Sequence, residues 1–124
     1  MRKPFTTTLF ALLATGIASL SLVQLASADP ARRSATKTVL VKGGEFLFRL
    51  STKSIARPGK VTFVFKNVGH VAHDFKINRR VTPLIAPGKT AKLAVTFRKK
   101  GRYPYLCTVP GHAAAGMRGA FTVR

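Results

Sequence analysis

The chain has 124 residues and a formal net charge of +19, which arises from 22 lysines and arginines against 3 acidic residues. Hydrophobic residues make up 46% of it, which excludes disorder caused by a lack of apolar content, and the length fits one folded domain. The single cysteine, Cys107, excludes an internal disulfide and leaves a free thiol, an intermolecular bridge or a metal ligand.

Residues 1–28 have the pattern of a signal peptide. Two cations near the start precede an uncharged apolar run at 9–25, and the segment ends in Ala-Ser-Ala, which fits a cleavage site. The alternative is an uncleaved membrane anchor, since the run is close to the lower limit of about 17 residues for a spanning helix. Cleavage predicts an exported, periplasmic or extracytoplasmic protein with a flexible basic leader at 29–37 and one domain at 38–124.

Beyond the leader the predicted elements are strands, because apolar residues alternate with other residues at a period of two. Turn signals separate these segments, and none of the segments shows sustained helical periodicity. The signals are Gly43-Gly44, Pro58-Gly59, Asn67-Val-Gly69, Pro87-Gly88 and Lys100-Gly101. In chain order, strands are predicted at 38–42, 46–50, 61–66, 74–78, 93–98, 102–107 and 119–123.

Short strands at this spacing predict one all-β domain, an antiparallel β-sandwich or barrel. Seven phenylalanines supply much of the expected core, namely Phe46, Phe48, Phe63, Phe65, Phe75, Phe97 and Phe121. Each such buried side chain contributes roughly 1.5–3 kcal/mol relative to exposure. Because the chain has no disulfide, this core carries the stability of the fold.

Three metal-binding side chains lie in one short segment near the C-terminus. Cys107, His112 and Met117 follow one another at intervals of five residues, and the intervening proline and glycines favour a tight loop over a helix. A thiolate and an imidazole suit zinc, copper or iron, whereas two histidines, a cysteine and a distant methionine form the blue-copper set. The second histidine must come from elsewhere, and His73, at the start of the strand predicted at 74–78, is the candidate.

Two segments resemble the copper-ligand motifs of the cupredoxins, the type 1 blue copper family that includes plastocyanin, pseudoazurin and rusticyanin. They are Asn67-Val-Gly-His-Val-Ala-His73-Asp-Phe75 and Tyr103-Pro-Tyr-Leu-Cys107-Thr-Val-Pro-Gly-His112-Ala-Ala-Ala-Gly-Met117-Arg-Gly119. Residues 56–65 also resemble the strand before the first ligand, so the similarity covers most of 38–124.

This resemblance implies a Greek-key β-sandwich of about seven to eight strands with one type 1 copper ion. It implies that His73, Cys107 and His112 are the equatorial ligands and that Met117 is the axial ligand. Asp74 departs from the family pattern, which often has asparagine after the first histidine. Its carboxylate can still join the two ligand loops by accepting hydrogen bonds, and it adds negative charge near the metal.

The same residues allow other interpretations. Cys107 alone is more typical of a small buried hydrophobic residue, and Met117 can fill a core. His70 and His73 have the spacing of a zinc pair, although His70 on a loop is expected to face solvent. A catalytic Cys–His dyad lacks an evident orienting partner and gives Met117 no role.

The sequence therefore predicts an exported one-electron carrier that is not an enzyme, because a fully ligated type 1 copper has no open position for substrate. The alternative is a protein that stores or delivers copper without redox turnover. The apolar loop around His112 predicts a docking surface for a redox protein, and the positive charge favours an acidic partner or an anionic membrane surface. Specific nucleic-acid binding is not expected, because the phenylalanines occupy core positions and are not interleaved with cations.

Overall fold

The structure, a computed structural model, describes residues 36–124. The predicted signal peptide and the leader up to residue 35 lie outside these residues. Nine strands form within the described part, β1 (Lys37–Gly44), β2 (Leu47–Leu50), β3 (Ser54–Ile55), β4 (Gly59–Asn67), β5 (Lys76–Ile77), β6 (Arg80–Val81), β7 (Thr90–Phe97), β8 (Gly101–Leu106) and β9 (Arg118–Val123). Over the same residues, no helix has the length and apolar character needed to cross a membrane.

The strands form two sheets, one in the order β2-β1-β4-β7 and the other in the order β3-β9-β8-β5-β6. The predicted all-β sandwich is confirmed, with one more strand than expected. Purely antiparallel pairing is wrong for two pairs, since β1 with β4 and β3 with β9 run parallel. The chain leaves the first sheet after β2, contributes β3 to the second, and returns so that β4 enters beside β1 in the same direction.

Alternating side chains of the long strands build the core, as the period of two predicts. In β4 and β7 every second residue is buried, including Phe63, Phe65 and Phe97. These rings pack with Phe121 of β9 in the second sheet and with Phe75, which directly precedes β5. Burial of this aromatic cluster between the sheets is the main source of stability in a domain without a disulfide.

Phe46 was predicted in the core and is instead 41% exposed. The predicted turn at Gly43 and Gly44 is shifted, since both glycines belong to β1 and the chain turns at Glu45 and Phe46. A Cβ on Gly43 would lie 2.6 Å from the ring of Phe65, so only glycine allows this close approach. Because the chain turns at Glu45 and Phe46, the alternation of exposed and partly buried side chains in β2 begins at Leu47.

The parallel pairing of β1 with β4 brings two connections to one end of the sandwich. Gly43 pairs with Asn67, so the turn after β1 lies beside the loop after β4, and the Val68 amide donates to the Gly43 carbonyl at 2.8 Å. The segment after β8 reaches the same end, where its Thr108 amide donates to Asp74. We call this end, formed by residues 45–46, 68–75 and 107–117, the ligand pole.

Candidate metal centre

Backbone hydrogen bonds fold the segment 107–117 back on itself. The Cys107 amide donates to the Met117 carbonyl at 3.0 Å, and the Met117 amide donates to the His112 carbonyl at 3.0 Å. Gly111 and Gly116 have φ angles of 83° and 121°, a region that suits glycine and lets the loop reverse direction. The predicted tight loop is thus observed, and Cys107 lies directly after β8 at its base.

The loop that carries His73 is held by a buried asparagine. The side-chain amide of Asn67 donates to the carbonyls of Val71 and Ile85, both at 2.8 Å, and its oxygen accepts from the Gly69 amide. His73 itself pairs through its backbone with Ile85 in an isolated bridge, and its side chain is fully buried. The strand predicted to begin here is shorter than expected and starts only at Lys76.

Three donor atoms converge at the ligand pole. The two Nδ1 atoms of His73 and His112 are 3.0 Å apart, and the Cys107 Sγ lies 3.9 Å and 3.7 Å from them, respectively. The point equidistant from these three atoms lies about 2.1 Å from each, which matches metal–nitrogen and metal–sulfur bonds of about 2.0–2.3 Å. The residues present therefore fit a trigonal metal ion of the kind that the sequence predicts.

Burial governs the protonation of the cysteine. Cys107 is only 1% exposed, and desolvation raises the pKa of its thiol, although hydrogen bonds from the Asp74 and Val109 backbone act in the opposite direction. A raised pKa keeps the thiol protonated at neutral pH, so metal binding must displace this proton. The Val109 bond comes from the same loop that carries His112.

The match to known families decides which metal this donor set serves. The family of copper-binding proteins described as plastocyanin/azurin matches residues 33–124. The chain belongs to this cupredoxin family. The predicted family and the predicted copper cofactor are confirmed. The structure brings the predicted residues His73, Cys107 and His112 together, whereas their roles as ligands stay predictions.

Relatives among characterised proteins carry the name copper-resistant cuproprotein CopI. The Pseudomonas aeruginosa protein is 49% identical over 41 residues, which cover 33% of this cupredoxin and 23% of the relative. The Vibrio cholerae protein is 31% identical over 46% of each chain, and the Rubrivivax gelatinosus protein is 27% identical over 77% of this chain and 70% of its own. The match thus spans less than half of the first two relatives.

Solved structures of auracyanins share the fold. The reduced auracyanin of the photosynthetic bacterium Roseiflexus castenholzii superposes with a TM-score of 0.63 at 23% identity, covering 73% of this cupredoxin and 98% of that chain. Auracyanin A, a blue copper protein of Chloroflexus aurantiacus, gives a TM-score of 0.58 at 23% identity. This match covers 70% of this cupredoxin and 98% of auracyanin A. Both likenesses establish the β-sandwich fold.

Met117, the predicted axial ligand of this cupredoxin, is fully buried at the ligand pole. A Cβ added to Gly43 would lie 3.1 Å from the Met117 methyl group, which places the methionine beneath the sheet end that supports the site. Its backbone amide donates to the His112 carbonyl, and its carbonyl accepts from the Cys107 amide. The position is compatible with an axial thioether, and the ligand role of Met117 remains a prediction.

Asp74 joins the two ligand loops, as the sequence suggested. Its Oδ1 accepts from the Thr108 amide at 2.6 Å, and its Oδ2 accepts from the Thr108 hydroxyl. The carboxylate is buried and sits one residue from His73 on one loop while it holds the residue after Cys107 on the other. The departure from asparagine thus preserves the link and adds one negative charge.

Glu45 is a residue of the site that the sequence reasoning missed. Its Oε1 lies 3.3 Å from Nε2 of His73 and accepts from the amides of His70 and Val71 at 2.7 and 2.9 Å. These bonds, from Val71 first and then His70, lower the pKa of the Glu45 carboxyl to about 2, so it is ionised at neutral pH. Accepting the proton on Nε2 leaves Nδ1 of His73 with its lone pair towards the other donors.

His70, the alternative zinc ligand, faces away from the three donors. Its side chain is 97% exposed, and its Nδ1 lies 3.5 Å from Oε2 of Glu45. Among the described residues, the group of donor atoms close enough to share one metal contains His73, Cys107 and His112 and does not include His70. The geometry agrees with the expectation that His70 lies on a solvent-exposed loop.

Proposed function

We propose that this cupredoxin is an exported one-electron carrier whose copper is held by His73, Cys107 and His112, with Met117 as axial ligand. The observation that carries the proposal is the preformed triangle of donor atoms, with sides of 3.0, 3.7 and 3.9 Å, formed by buried His73 and Cys107 and half-buried His112. A bound copper ion supplies the chemistry by cycling between Cu(I) and Cu(II). Full ligation leaves no open position for substrate, which argues against an enzyme.

The role of the protein is to keep the ligands in place in both redox states. Asp74 fixes the loop after Cys107, Asn67 fixes the loop before His73, and Glu45 fixes the imidazole of His73. Because hydrogen bonds hold His73 and the loop after Cys107, and Phe46 packs against the ring of His112, little rearrangement accompanies a change of charge at the centre. Small rearrangement favours fast electron exchange.

His112 is the proposed exit for the electron. It is half-buried, and its ring packs edge-on against exposed Phe46, with ring centroids 5.1 Å apart. Exposed Pro110 and Ala114 belong to the same loop, so an apolar surface surrounds this imidazole. Such a surface suits transient docking of a redox protein, and the positive charge of the chain favours an acidic partner.

Voltammetry of the copper-loaded protein tests this function. We expect a reversible wave of one electron per copper, with no loss of Cu(I) to a chelator during repeated cycling, because the ligand set is closed and preformed. Cys107→Ser is the matched control and should lack this wave. An irreversible wave with release of Cu(I) would contradict the carrier role.

A second candidate is copper storage or delivery without redox turnover. It is favoured by the relatives, which are named copper-resistant cuproproteins. The same donor set serves both functions, and the two differ in whether copper leaves the site. Rapid transfer of copper to a second copper-binding protein, without a reversible wave, would favour this candidate over the carrier.

Replacing Ala114 with aspartate tests the docking surface. Ala114 is exposed in the loop of His112, and a carboxylate there repels an acidic partner and interrupts the apolar contact. We expect electron transfer to an acidic cytochrome to slow roughly tenfold, by stopped-flow absorbance, with an unchanged visible band. Ala94→Asp places the same charge on exposed β7 and is the control. Equal rates for both variants would remove His112 as the docking centre.

The net charge makes a separate prediction about ionic strength. Because the chain carries a formal charge of +19, its association with an acidic cytochrome should be steered by attraction that salt screens. We expect the bimolecular rate constant to fall by about tenfold or more from low to high salt. An uncharged small oxidant should show little change, and a flat salt profile with the cytochrome would contradict electrostatic steering.

A further inference from the structure

The exposed side of the four-stranded sheet carries a row of cations. Strand register places Arg49 of β2 opposite Lys42 of β1, and Lys42 opposite Lys66 of β4. Residues that pair in register project to the same side of a sheet, and all three side chains are exposed. Since adjacent strands lie about 4.8 Å apart, the row places three positive charges side by side. We call this side of the sheet the basic face.

Aliphatic side chains lie beside this row. Leu40, two residues before Lys42, is 53% exposed, and Leu47, two residues before Arg49, is 41% exposed. Leu40 pairs with Val64, and Val64 pairs in turn with the exposed Lys92 of β7. The basic face thus combines lysine and arginine with exposed leucine on one broad sheet surface.

The charges of this face have no compensation within their own sheet. None of the four strands β2, β1, β4 and β7 contains an acidic residue. The two acidic side chains within residues 36–124 are Glu45 and Asp74, and both are engaged at the ligand pole. Like charges directly opposite one another destabilise a sheet, so the row does not serve folding.

We propose that the basic face binds the surface of an anionic phospholipid bilayer. Lysine and arginine heads reach lipid phosphates while their methylene stems and the exposed leucines enter the boundary between headgroups and acyl chains. The row of Arg49, Lys42 and Lys66 is exposed on three adjacent strands, unlike the enclosed groove that selects one protein segment. The exposed residues of the four strands include no aromatic ring for stacking on a nucleic-acid base. A broad, charged and partly aliphatic surface therefore fits a bilayer better than it fits a protein segment or a nucleic acid.

This contact leaves the ligand pole accessible. The strands of the sheet lie along the bilayer in the bound state, and the ligand pole is at their ends. A membrane-bound molecule therefore moves in two dimensions while its docking surface stays exposed to a redox partner. The inference rests on the sheet alone and is independent of the copper chemistry.

Vesicle co-sedimentation of the exported, copper-loaded protein tests the proposal. We expect binding to vesicles that contain phosphatidylglycerol and none to vesicles of phosphatidylcholine alone. The variant Lys42→Gln/Arg49→Gln/Lys66→Gln should bind the anionic vesicles on the order of a hundredfold more weakly. The matched control Lys76→Gln/Arg80→Gln/Arg102→Gln removes the same charge from exposed positions of the other sheet and should lose less than about fivefold.

An equal loss in both triple variants would overturn the proposal, since binding would then follow net charge and not the basic face. Absence of binding of the parent protein to anionic vesicles would also overturn it. The visible copper band and the thermal unfolding midpoint check that each variant is folded, and removing the facing like charges is expected to keep or raise that midpoint.

A fluorescence reporter gives a second, independent measurement. The chain contains no tryptophan, so Leu40→Trp provides a single probe on the basic face, and Val81→Trp provides one at an exposed position of the other sheet. Anionic vesicles should shift the emission of the first variant to the blue and leave the second unchanged. The reverse pattern, or no shift in Leu40→Trp, would overturn the proposal.

Discussion

Cys107→Ser should abolish the intense visible band that Cu(II) produces and weaken Cu(II) binding by about 100- to 1,000-fold. The band requires a thiolate-to-copper bond, and a serine hydroxyl does not ionise to replace it. The expected loss of affinity follows if copper binds with a free energy like that of structural zinc sites, about 10–16 kcal/mol, and four ligands share it. Absorption titration with Cu(II), combined with chelator competition, measures both quantities.

His70→Ala is the matched control for this experiment. His70 lies on a ligand loop and is exposed, yet it is outside the group of three converging donors. The control should keep the band and an affinity close to that of the parent protein. A band that survives in Cys107→Ser, or a parent protein that stays colourless with Cu(II) and binds zinc, would overturn the assignment of the site.

Local sequence patterns were sufficient to predict the long strands and to select the three side chains that converge at the ligand pole. The alternation in β4 and β7 reflects directly which side chains lie between the sheets. Cys107, His112 and Met117 share one loop, and turn-forming glycines between them signal the fold of that loop. His73 could be paired with them because a strand start and a loop at one end of a sandwich can meet.

What the sequence did not predict depends on the arrangement of distant strands. Glu45 lies 28 residues before His73, and the two meet only because β1 runs parallel to β4. Alternation indicates which face a residue occupies but not the direction of the neighbouring strand. The two-residue strands β3 and β6 are too short to show a period, and a turn shifted by two residues moved Phe46 from the predicted core to the side of His112.

Glu45→Gln should lower the affinity for Cu(II) by roughly ten- to a hundredfold while the visible band persists. The carboxylate orients the imidazole of His73 by accepting a hydrogen bond from Nε2. It also accepts hydrogen bonds from the backbone amides of His70 and Val71. Glutamine keeps one acceptor oxygen but loses the charge that makes the imidazole a stronger donor to the metal. Chelator competition at neutral pH, where Glu45 is ionised, measures the change.

The same substitution should raise the reduction potential. Removing a negative charge close to the centre disfavours Cu(II) more than Cu(I), because the oxidised ion carries the larger positive charge. Asp74→Asn removes an equal charge and is the control for this electrostatic effect, since its amide oxygen can still accept from Thr108. Voltammetry of both variants should give potentials above that of the parent protein.

Comparison of the two variants separates charge from orientation at the site. If Glu45 acts only through its charge, then Glu45→Gln and Asp74→Asn should weaken Cu(II) binding by similar factors. If Glu45 also fixes the ring of His73, its variant should lose more affinity than Asp74→Asn, and Glu45→Asp should fail to restore it because the shorter side chain does not reach Nε2. Affinity within twofold of the parent for Glu45→Gln would show that the hydrogen bonds of the loop alone orient His73.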